Sequence, residues 1–87
     1  MKLNELSTIM EKHKVWKYNY SINEEDKPVA DAALCLMKTP KGFEYYIYER
    51  NIKRDIQFFQ DEDKACQAFL ADMAYGHPTL KRYIQKS

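Results

Sequence analysis

The chain of 87 residues holds two glycines, two cysteines and no long apolar run, and each scarcity removes a class of function. Gly42 and Gly76 cannot between them build a glycine-rich loop whose backbone cradles a phosphate. Cys35 and Cys66 allow at most one disulfide. Each sits in an apolar stretch, the setting of a small buried hydrophobe in a reducing compartment. Nothing approaches the about 18 consecutive apolar residues needed to span a bilayer. The opening MKLNELSTIMEKHK has neither a continuous apolar segment nor a small-residue cleavage site, so no signal peptide is expected. The expectation is a cytoplasmic protein without membrane contact. Net charge is only +1, so no overall field selects nucleic acid or an anionic surface.

What is present is ordinary for a folded chain: 45% hydrophobic and 31% charged residues. Residues 1–87 are read as a single domain able to bury roughly 60–65% of its unfolded surface. Aromatics make up 14%, seven of them tyrosines, more than so small a core requires; some are expected at the surface, each with a rigid ring and a polar tip. Charge is uneven along the chain. Residues 21–31 carry Glu24, Glu25, Asp26 and Asp31 against Lys27, whereas residues 1–20 carry Lys2, Lys12, Lys14 and Lys17 against Glu5 and Glu11.

Leu6, Ile9, Met10 and His13 recur at helical spacing, with Leu3 a turn earlier, which predicts a helix over 4–14 capped by Asn4. In VWKYNYSI, Trp16, Tyr18, Tyr20 and Ile22 alternate with polar residues and predict a first strand. NEEDKP is a loop. Residues 29–38 suit either helix or strand; a strand over 32–39 is preferred, central in the sheet because both parities are apolar. TPKG makes a tight turn with Gly42 free to take positive φ. Phe43, Tyr45 and Ile47 face one way in the next strand and Glu44, Tyr46 and Tyr48 the other. The chain turns at Asn51 into a further strand, where Arg54 falls on a mainly apolar parity that a bulge would correct. Asp61, Glu62 and Asp63 open a helix whose stripe is Cys66, Phe69, Leu70 and Met73. Gly76 ends it, and His77-Pro78 starts a short last helix. The fold expected is α+β: one antiparallel sheet of about four strands, with an N-terminal helix and two C-terminal helices packed on it.

Candidate chemistry is sparse. His13, His77, Cys35 and Cys66 show no paired ligand spacing, so no metal and no cofactor is expected. Cys66 lies in the middle of an apolar stripe, where burial disfavours the thiolate a nucleophile needs. An enzyme is the least supported class. A double-stranded-RNA-binding domain has similar size and an α-β-β-β-α order, but requires basic residues where its last long helix begins. Here Asp61, Glu62 and Asp63 stand there, leaving only Arg50, Lys53 and Arg54 for a nucleic-acid-binding alternative.

Residues 43–73 carry a pattern of their own. The strand YYIYERN, containing Glu49-Arg50, precedes a strand ending in Phe58 or Phe59. An acidic cap, Asp61-Glu62-Asp63, then opens a helix bearing Ala65-Cys66 and Phe69. This resembles the hairpin-then-helix signature of small bacterial immunity proteins of contact-dependent growth inhibition and polymorphic toxin systems. The likeness covers roughly a third of the chain and departs at Asn51, where glycine is usual. It implies a protein without catalysis that binds and blocks a cognate toxin domain, often a nuclease such as an RNase or tRNase. The expected partner is that toxin rather than nucleic acid or membrane, with the chain itself a monomer or weak dimer. The candidate contact residues are Glu24, Glu25 and Asp26 as charge complement. Tyr46 and Tyr48 act as aromatic anchors if their sheet face is open, and Asp61 and Glu62 complete the set although helix capping accounts for them.

Overall fold

Leu3, Leu6 and Met10 form the buried stripe of α1 (Leu3–Lys12) in the computed structural model, which describes residues 1–85. The helix begins one residue earlier than predicted and ends two residues sooner, with Lys2 rather than Asn4 at the cap. Its exposed N–H groups are satisfied by carboxylates instead: Glu5 accepts from Lys2 N–H at 3.3 Å and the distant Glu62 from Leu3 N–H at 2.8 Å.

The alternating VWKYNYSI does not make one long strand. Lys14 at φ +56° redirects the chain, and Lys17–Asn19 coil into a 3-10 turn in which Asn19 N–H donates to the Trp16 carbonyl at 2.9 Å. Trp16 is left 57% exposed, edge-on to Tyr18, while only Tyr20 and Ile22 of the expected face enter the core. The strand shrinks to β1 (Tyr20–Ile22).

The four strands lie in the order β1-β2-β3-β4, but β1 runs parallel to β2 (Ala32–Thr39), so the sheet is mixed rather than wholly antiparallel. Residues 23–31 cause this. Positive φ at Asn23 and Asp26 bends them over one face of the sheet, where Val29 packs against Ala33, Cys35 and Tyr46. The chain thus re-enters beside β1 in the same direction. Both parities of β2 are buried, as a central strand requires: Leu36 beneath the helices, Ala33 and Cys35 beneath the loop.

Gly42, at φ +141°, opens β3 (Gly42–Glu49); a Cβ there would lie 2.5 Å from the Phe59 carbonyl oxygen. Arg50 and Asn51, at φ +49° and +66°, turn the chain into β4 (Ile52–Phe59) with the geometry of a type I′ hairpin. A bulge follows. Ile47 pairs with Arg54 and Tyr45 with Gln57, so Asp55 and Ile56 together oppose Tyr46. The bulge divides the apolar parity of this strand. Ile52, Arg54, Gln57 and Phe59 face the helices, while Lys53, Ile56 and Phe58 face the loop side, and only Phe59 reaches the core.

Asp61 caps α2 (Glu62–Met73), accepting from Asp63 N–H at 3.1 Å. Ala65, Cys66, Phe69, Leu70 and Met73 lie on the sheet, with the Phe69 ring 6.0 Å from that of Tyr45. Full burial of a side chain such as Phe69 contributes about 1.5–3 kcal/mol. The last helix is a 3-10 segment, Pro78–Tyr83, that buries Leu80. His13 ties it to α1, with Nε2 2.8 Å from the Tyr83 hydroxyl and Nδ1 3.2 Å from that of Thr79.

Candidate functional site

The sheet has two unlike sides. Helices cover one; residues 23–29 arch over part of the other and leave a cleft of about 380 Å³. Glu24, Glu25 and Asp26 form its outer rim, Tyr46 and Tyr48 its wall, and Val29, Cys35 and Met37 its apolar floor. Five of the seven candidate contact residues named from sequence are therefore brought together. The first strand's shortness makes this possible, because the chain leaves β1 at Ile22 and is free to cross the sheet.

Local hydrogen bonds set the loop. Ser21 Oγ donates to the Glu24 carbonyl at 2.9 Å, and Asn23 Oδ1 accepts from Lys38 N–H at 3.2 Å. Lys27, the loop's lysine, is drawn inward: its ammonium donates to the Tyr20 carbonyl at 2.7 Å and lies 4.1 Å from the centre of the Tyr20 ring. Among the described residues, Glu24, Glu25 and Asp26 have no ion-pair partner, and all three are exposed. Three carboxylates thus stand at a rim whose one ammonium is already engaged.

The tyrosines differ in access. Tyr46 is only 9% exposed because Val29 packs against it and the Lys53 ammonium lies 4.6 Å from its ring centre, so it is a covered part of the wall and not a free anchor. Burial, reinforced by the neighbouring Cys35, pushes its phenol up to about 12. Tyr48 is half-buried at the mouth, where its hydroxyl donates to Asn51 Oδ1 at 3.0 Å. Asn51 also lines the cleft.

Asp61 and Glu62 lie elsewhere. Asp61 caps α2 and Glu62 caps α1, so both serve helix termini away from the cleft. Sequence reasoning missed Val29, Cys35, Met37 and Asn51. The apolar outer parity of residues 33, 35 and 37 was the available signal, since it needed a cover that the helices could not supply.

Burial pushes the Cys66 thiol up to about 11, with Glu62 adding to the effect, and raises that of Cys35; both cysteines are free and buried. Among the described residues no three His, Cys, Asp or Glu side chains converge as a metal site requires. No described helix is long and apolar enough to cross a membrane. Of the basic cluster at the hairpin, Lys53 lies 3.1 Å from Glu44 and Arg54 3.1 Å from Glu49. No protein-family model, curated protein or solved structure matches this chain.

Proposed function

We propose that this chain is an immunity protein acting in the cytoplasm, which binds a cognate toxin domain, a nuclease of the RNase or tRNase kind, and neutralises it without catalysis of its own. The observation that carries this reading is the rim of three unpaired carboxylates over an aromatic and apolar cleft. Carboxylates with no internal partner keep their full field for an approaching surface, which raises the association rate with a basic one. A nuclease groove, shaped to hold phosphates, is such a surface. A lysine or arginine from it would lay its apolar stem along Tyr48 and Met37 and its charge against the rim. The resemblance of residues 43–73 to immunity proteins points the same way.

The test is calorimetric titration of the purified chain with the toxin domain encoded beside it, at two salt concentrations. The triple reversal Glu24→Lys, Glu25→Lys, Asp26→Lys should weaken binding at least tenfold and flatten its salt dependence. Unchanged affinity rejects the cleft as the site, and absence of binding by the unaltered chain rejects the function.

A further inference from the structure

The two edges of the sheet are treated differently. The β1 edge is short and closed by its own loop: Lys27 donates to the Tyr20 carbonyl at 2.7 Å and Ala30 N–H to the Tyr18 carbonyl at 2.8 Å. The β4 edge has eight residues, and among the described residues no strand or loop pairs with its outer side. It also carries apolar surface, with Ile52 61%, Ile56 47% and Phe58 66% exposed. A long open edge with apolar side chains is a template for another strand.

We propose that the occupant is a second copy of this chain, with the two β4 strands antiparallel about a two-fold axis between Asp55 and Ile56. The bulge selects this register. Residues opposite one another in a sheet must project from the same face. Ile52, Arg54, Gln57 and Phe59 project to the helix side; Lys53, Asp55, Ile56 and Phe58 oppose loop-side residues of β3. With the axis between Asp55 and Ile56, Ile52 meets Phe59 of the second copy, Lys53 meets Phe58, Arg54 meets Gln57, and Asp55 meets Ile56. Every pair matches in face.

Neighbouring symmetric registers fail. Moving by one residue sets Ile52, on the helix side, against Phe58, on the loop side. Moving by two breaks the match at Arg54 and Asp55 or at Ile56 and Gln57. Because both strands carry the same extra residue, bulge faces bulge, and pairing continues in register on both sides of the interruption at Asp55, whose φ is +52°. No like charges are opposed in this arrangement. Lys53, whose ammonium lies 3.1 Å from Glu44 and 4.6 Å from the centre of the Tyr46 ring, lays its apolar stem beside the exposed Phe58 ring of the second copy. Stable interfaces bury roughly 1,200–2,000 Å². One strand pair with three apolar side chains a copy lies at the low end, giving a roughly micromolar, concentration-dependent dimer.

This inference is independent of toxin binding, because its test uses the chain alone. Sedimentation velocity of the full chain should show mass rising from monomer toward dimer as concentration increases. Ile56→Glu should hold it monomeric with an unchanged circular dichroism spectrum. Register is read by mild oxidation of variants that carry one added surface cysteine, the native Cys35 and Cys66 both being buried. Lys53→Cys mixed with Phe58→Cys should form a disulfide-linked pair, whereas either alone should not, since its copies stand roughly 13 Å apart along the strands, four strand steps once the bulge is counted. A chain that stays monomeric at every concentration overturns the proposal, as does cross-linking of either variant alone in preference to the mixture.

Discussion

The Glu62 carboxylate accepts the Leu3 backbone N–H at 2.8 Å, so a residue in the first turn of α2 caps the start of α1. The acidic tripeptide therefore serves two helices. Asp61 satisfies its own, and Glu62 reaches across to one 59 residues away in sequence. Charge-assisted bonds to helix N–H groups are the stronger kind. Glu62→Ala should lower the free energy of unfolding by about 1–2 kcal/mol in urea titrations. Asp61→Ala should cost about 1 kcal/mol through the ordinary cap alone. Because neither residue touches the cleft, affinity for the proposed toxin partner should stay within twofold of the unaltered chain. A loss of affinity without loss of stability would return Asp61 and Glu62 to the contact surface.

The two glycines should respond oppositely to alanine. At Gly42 the backbone lies at φ +141°, and an added Cβ would meet the Phe59 carbonyl at 2.5 Å. Nothing lies within 4 Å of the same atom at Gly76. Gly42→Ala should destabilise the chain by about 2–4 kcal/mol, since β3 must move away from the end of β4. Gly76→Ala should be neutral or stabilising by up to about 1 kcal/mol. Thermal unfolding of both variants measures this, and equal midpoints would contradict the turn geometry.

Much of this architecture was legible because its causes are local. Leu6 and Met10, or Cys66, Phe69 and Met73, announce helices through a spacing that tertiary contacts need only accept. Gly42 and Asn51 mark turns through the backbone angles they tolerate, and Arg54 on an apolar parity signalled a bulge near its place. What stayed hidden depends on distant partners. Trp16 and Tyr18 alternate as a strand would, yet the 3-10 turn and the positive φ at Lys14 take them out of the sheet. The parallel pairing of β1 follows from the path of residues 23–31, which no local spacing encodes. Of the candidate site, the acidic loop and Tyr48 were readable; the covering of Tyr46 was not, because it depends on Val29 folding back over a strand still to come.

Alkaline stability offers a test of that covering. Burial raises the Tyr46 phenol from 10 to about 12, so the folded chain holds this proton more tightly than the unfolded one. Its contribution is fully present below about pH 10 and is lost as pH rises through about 12. Tyr46→Phe keeps the ring and removes the ionisation. Stability of this variant should therefore fall less steeply between about pH 10 and 12 than that of the unaltered chain, with Tyr45, Tyr20 and the two cysteines, all likewise raised by burial, contributing to the remaining slope. Parallel curves across that window would mean that Tyr46 is open to water, as a free anchor would be.

Nucleic acid is the partner that the same surface should refuse. Its basic residues Arg50, Lys53 and Arg54 cluster at the hairpin, but Lys53 is held 3.1 Å from Glu44 and Arg54 3.1 Å from Glu49. A phosphate must displace a carboxylate to reach either, and the two new contacts would return little beyond what the ion pairs already supply. Only Arg50 has no such partner among the described residues, and one phosphate contact gives a salt slope of about one at most. Anisotropy of a labelled 20-nucleotide RNA or DNA should stay flat with added protein at both low and moderate salt. Saturable binding with a slope of roughly three or more would instead assign all three basic residues to phosphates, and the hairpin would displace the cleft as the working surface of this chain.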